Sequence, residues 1–61
     1  MKLPTRLTLS NAQKQFDKGD WQMAAALCNL ARDIAKEIKD DDALPIIEEL
    51  HKMVNKGRST G

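Results

Sequence analysis

Few side chains here are of a type that does chemistry, and those few are scattered. His51 is the only histidine and Cys28 the only cysteine. A histidine acting as metal ligand or general acid–base needs further ligands, or a nucleophile, at matching positions. Around His51 stand only Glu48 and Glu49, so it reads as a half-exposed residue at the edge of an apolar helix face. Cys28 lies in a lane of small residues with Ala24 and Ala31, where a thiol behaves as a small hydrophobe. Two turns into its helix, it lacks the helix N-terminus or neighbouring base that would activate it. A single cysteine also excludes an intrachain disulfide and a cysteine-based zinc site.

Asp40-Asp41-Asp42 is the remaining candidate, as ligands for a divalent cation. An EF-hand loop spreads its oxygens over about twelve residues, with a central glycine and a closing glutamate. No glycine follows these aspartates and Pro45 interrupts, so a turn and a helix cap fit better. The same cluster is available as a negative knob for a basic partner surface. No catalytic, cofactor-binding or metal-ligating residue is assigned.

The elements that carry these residues follow from apolar spacing, which is helical throughout. A first helix is expected over about residues 7–18, with Leu9, Ala12 and Phe16 on one face. Ser10 with Gln13 fits a capping box for its start, while Thr5 or Thr8 would cap a longer helix. Gly19 permits the left-handed turn that ends it. Asp20 is a good cap for a second helix over residues 21–39. There Met23, Leu27, Leu30, Ile34 and Ile38 form a lane of large side chains, and Ala24, Cys28, Ala31 and Ala35 an adjacent lane of small ones. The small lane admits a close helix and the large lane fills space against a second neighbour. A third helix is expected over residues 43–56, capped by Asp41 or Asp42 and stopped by Gly57, with Ile46, Ile47, Leu50, Met53 and Val54 sharing a face. The expectation is one all-α domain of three helices over residues 7–56. A flexible segment precedes it over 1–6, and a disordered tail follows over 57–61.

The stretch from Asn11 to Ile34 resembles a tetratricopeptide repeat. The likeness rests on Ala12, Phe16, Gly19-Asp20-Trp21, Ala24, Cys28 and Ala31. It implies a helical hairpin in which the glycine makes the turn, the aspartate caps the second helix and the small residues let the first lie close. Trp21 would then staple the two helices across the turn, or else stand exposed as an interface anchor. The chain departs from the family pattern in three ways. The Trp-Leu-Gly opening is reduced to Thr8, Asn11 and Ala12, the closing proline is absent, and helix two is expected to run about a turn beyond the family's usual length. In its size and its turn the chain is also similar to small bacterial AraC-negative-regulator proteins, although the group's terminal Phe-Cys has no counterpart. That second likeness implies binding to a transcription activator protein rather than to DNA.

Size and charge narrow the function. At 61 residues the chain is one domain at most, and such a domain buries only about 60% of the surface its unfolded chain exposes. It has no room for a large substrate cleft. The net charge of +1 leaves no footprint for nucleic acid. Charge is nonetheless uneven, at +3 over residues 1–19, −3 over 20–42 and +1 over the rest. No apolar run approaches the roughly 20 residues that span a bilayer, and the N-terminus lacks a signal peptide's apolar core, so a cytoplasmic protein is expected.

The leading expectation is a non-enzymatic protein-interaction module that binds a protein partner or forms a homo-oligomer, a dimer above all, without cofactor. The residues expected to carry it are Trp21, Met23, Leu27, Leu30, Ile34, Ile38, Ile46, Leu50 and Met53. Helix one offers too little apolar surface to cover the large lane of helix two. An alternative is a small phage- or plasmid-type regulator that sequesters a transcription factor or enzyme. DNA binding through the third helix is disfavoured by Glu48 and Glu49.

Overall fold

Pro4 is tolerated where the chain first becomes helical. It lacks an amide, and amides in a first helical turn have no partner within the helix, so proline costs nothing there. In the computed structural model, which describes residues 1–60 and side chains through Gly57, α1 spans Leu3–Asp17, α2 Trp21–Glu37 and α3 Ala43–Thr60. No described residue is in a strand, so the all-α, three-helix architecture is as expected.

Three boundaries differ from those expected. α1 begins at Leu3 rather than near Leu7, so much of the segment expected to be flexible is its first turn, with Thr5 fully buried. Lys2 is the N-cap residue, without a side-chain cap. Ser10 therefore lies within the helix, and the Thr8 hydroxyl donates back to the Pro4 carbonyl at 3.0 Å. α2 ends at Glu37, two residues early, because Lys39 turns left-handed at φ +57°. α3 runs through Gly57, which has no positive φ, so the glycine does not stop it. Of the tail expected to be disordered, residues 57–60 continue the helix, and Gly61 lies outside the described residues.

Both turns close with the same hydrogen-bond pattern. After α1, Gly19 at φ +87° donates to the Phe16 carbonyl at 3.0 Å, and Asp20 to Gln15 at 2.9 Å. After α2, Lys39 donates to Lys36 at 3.3 Å and Asp40 to Ala35 at 2.7 Å. These paired bonds satisfy carbonyls that a helix end leaves without partners. Asp20 caps α2 as expected, its carboxylate accepting from the Met23 amide at 3.2 Å.

The small lane of α2 is the floor of the core. Ala24, Cys28, Ala31 and Ala35 are fully buried, joined by Ala12 of α1 and by Ala43, Ile47, Leu50 and Val54 of α3. Methyl-sized side chains let the α3 isoleucine and valine fill the space that larger α2 residues would have occupied. α2 packs extensively on both neighbours, whereas α1 and α3 touch only lightly. The large lane therefore does not fill a second helix interface: Met23 and Leu30 are about half exposed, and Leu27, Ile34 and Ile38 are only partly buried. α1 starts beside the end of α2, and α3 ends beside the start of α2, so α1 and α3 run in the same direction.

Candidate interaction surface

Apart from Trp21 and Ile38, the half-buried C-cap residue of α2, the residues expected to bind a partner divide between two faces. The first is a groove between α1 and α3, lined by Leu9 and Gln13 on one bank and by Ile46, Glu49, Leu50 and Met53 on the other. The helices that form it barely meet each other, so their facing side chains are left uncovered. Ile46 is 50% exposed and Met53 48%, seven residues apart and hence on one lane of α3. Leu50 lies at the groove floor, where it belongs to the core at 6% exposure. Along α1 the surface continues past Leu9 to Arg6, Ser10 and Met1.

The second face is the outer side of α2, carried by Met23 and Leu30 with Leu27 and Ile34 at its edge. None of these lines the groove. Leu27 also packs against the core, so its contribution to an outer surface is partial.

Trp21 belongs to neither face. A side chain built on Gly57 would meet its indole Cε2 at 3.4 Å, so the ring lies on the α3 backbone there. It ties the start of α2 to the end of α3, a different pair of helices from those it was expected to staple across the first turn. A Cβ at this position would meet the indole at ordinary van der Waals distance, so the approach itself does not require glycine.

On the other side of α3 the chain carries a polar groove of Arg32, Glu48, His51, Lys52 and Asn55. Arg32 Nη2 lies 3.3 Å from His51 Nδ1. A guanidinium only donates, so this contact is a hydrogen bond where Nδ1 is the accepting nitrogen of the ring. His51 is half-buried, at the edge where the helical wheel puts it. Cys28 is buried, and desolvation pushes its thiol pKa up while the Arg32 guanidinium pulls the other way, so it stays a thiol. Among the described residues, no three His, Cys, Asp or Glu side chains come together as metal ligands.

Leu9, expected on one face with Ala12 and Phe16, packs partly against the core and also lines the groove, whereas sequence reasoning missed Arg6 and Gln13 as surface residues. It also missed Leu3 and Leu7, which are 55% and 56% exposed and one turn apart on α1. The signal for that pair was a helix start four residues earlier. Among the described residues no helix is long and apolar enough to cross a membrane. No protein-family model, curated protein or solved structure matches the chain.

Proposed function

We propose that this chain is a small, non-enzymatic protein–protein interaction module. The observation that carries the reading is the inversion of its apolar residues. The core is built mostly from alanine, while Met23, Leu30, Ile46 and Met53 stand half exposed on two faces. Folding gains about 25 cal/mol per Å² of apolar surface buried, and this chain leaves some of its largest apolar side chains outside. Large apolar side chains left exposed on the same helix lane in this way support a reading as interaction sites. The likeness to a tetratricopeptide hairpin is part of the same reading, supported by the full burial of Ala12, Ala24, Cys28 and Ala31.

A photo-crosslinking residue at Ala26, beside Leu30, or at Gln13, beside the groove, tests this. Both positions are exposed. In the native host, discrete protein adducts are expected, lost on Leu30→Lys for the first position and on Met53→Lys for the second. If both positions give only diffuse adducts that the lysine substitutions leave unchanged, the chain is not an interaction module.

A further inference from the structure

The α1–α3 groove has an anion on its α3 bank, and a cation flanks its α1 bank on the adjoining surface. Arg6 stands on α1 beside Leu9 and Gln13, and Glu49 on α3 between Ile46 and Met53. Both side chains are exposed. An apolar strip edged by opposite charges is complementary to itself, because a two-fold axis along the strip exchanges its banks. α1 and α3 run in the same direction, and such an axis preserves that direction, setting each helix over the other helix of the second copy.

The register suits this pairing. Lys2 at the start of α1 bonds to Asp40 just before α3, which levels Leu3 with Ala43. Arg6 then stands about level with Ile46, and Glu49 about one turn, roughly 5 Å, further along. An extended arginine spans that offset.

Area points the same way. A standard interface takes about 800 Å² from each partner, against a total surface of 4159 Å² here. The backbone measures 34 × 16 × 13 Å, so its ends are too small for such an interface and only a long side will serve. The groove runs along a long side. Building on the interaction-module reading, we propose that the groove's occupant is a second copy of this chain. The dimer is two-fold symmetric, with α1 over the partner's α3 and Arg6 meeting Glu49 on both edges.

Sedimentation equilibrium of the full chain tests this, with a dimer of the 6.8 kDa chain expected. Arg6→Glu and Glu49→Arg place like charges at both edges and should each weaken the dimer at least about tenfold. Mixing the two variants restores opposite charges at both edges, so a heterodimer of wild-type strength is expected. Circular dichroism of each variant alone checks that its helices persist. A wild-type chain that stays monomeric at millimolar concentration overturns the proposal, as does a dimer that the charge variants leave unchanged or that mixing fails to rescue. A monomer that still crosslinks to a different protein from Gln13 or Ala26 sinks the second copy alone, whereas the lack of any specific adduct sinks the interaction reading as well.

Discussion

The backbone N–H of Lys2 donates to the carboxylate of Asp40, 38 residues away, and so the α2–α3 turn closes the start of α1. The Lys2 ammonium reaches the other way, donating to the Ile38 carbonyl at the end of α2 at 2.8 Å. A carboxylate thus sits at the positive end of one helix and an ammonium at the negative end of another, each where the helix dipole favours it. Asp40 is only 5% exposed, while its neighbours Asp41 and Asp42 are exposed.

Asp40→Ala should therefore destabilise the fold by about 2 kcal/mol, the upper end for losing a helix cap, because a buried acceptor is lost as well. Asp41→Ala should stay within about 0.5 kcal/mol of the parent. Urea titration of the two variants separates them, and equal losses would show that the cluster acts only through its charge.

Thr5 is fully buried, and its hydroxyl oxygen has no hydrogen-bond partner. An unsatisfied buried hydroxyl costs roughly 1–3 kcal/mol, and valine has nearly the same shape. Thr5→Val should raise stability by about 1 kcal/mol. A lower urea midpoint would mean that the hydroxyl is satisfied in solution.

How much of this was legible in the sequence depends on the range of the interaction that decides each feature. Gly19-Asp20 and the Ala24–Ala35 lane act within a turn or two of their own positions, so the hairpin and the floor of the core could be read directly. The start of α1 could not, because the acceptor for its first amide is supplied by Asp40 from the far end of the chain. The end of α2 was misplaced because a lysine, at Lys39, takes the left-handed position where glycine is the usual signal. The candidate surface divides the same way. Helical spacing picked out Met23, Leu30, Ile46 and Met53, but whether two lanes join into one face depends on where α1 lies. The groove residues Leu9 and Gln13 became visible only once α1 and α3 stood side by side.

Gly57 lies inside α3, where glycine is less favourable than alanine by about 1 kcal/mol. A Cβ there would stand 3.4 Å from the Trp21 indole, an ordinary van der Waals distance. Gly57→Ala should thus stabilise by about 0.5–1 kcal/mol with tryptophan emission unchanged. Gly57→Leu should push the indole off the helix, lowering the thermal midpoint and shifting emission to the red. If both variants behave alike, the indole does not rest on residue 57.

Cys28 ties stability to alkaline pH. Burial raises its thiol above the usual 9.0, partly offset by Arg32. In the unfolded chain the thiol ionises near its usual value, so above about pH 9 the unfolded state binds fewer protons than the folded one. Stability must then fall as pH rises, since its slope follows the unfolded-minus-folded proton count. The contribution is fully present below the unfolded value and disappears as pH climbs through the folded one. Lysines also titrate in this range, so the informative quantity is the difference between the parent and Cys28→Ala. At pH 7 the variant should be less stable by about 1 kcal/mol, from the small cavity left by the sulfur. Above about pH 9 that gap should narrow, because only the parent carries the thiol, whose value in the folded chain lies above the usual one. Urea midpoints at pH 7, 9 and 10 measure it, and a gap that stays constant or widens would place the Cys28 sulfur in contact with water.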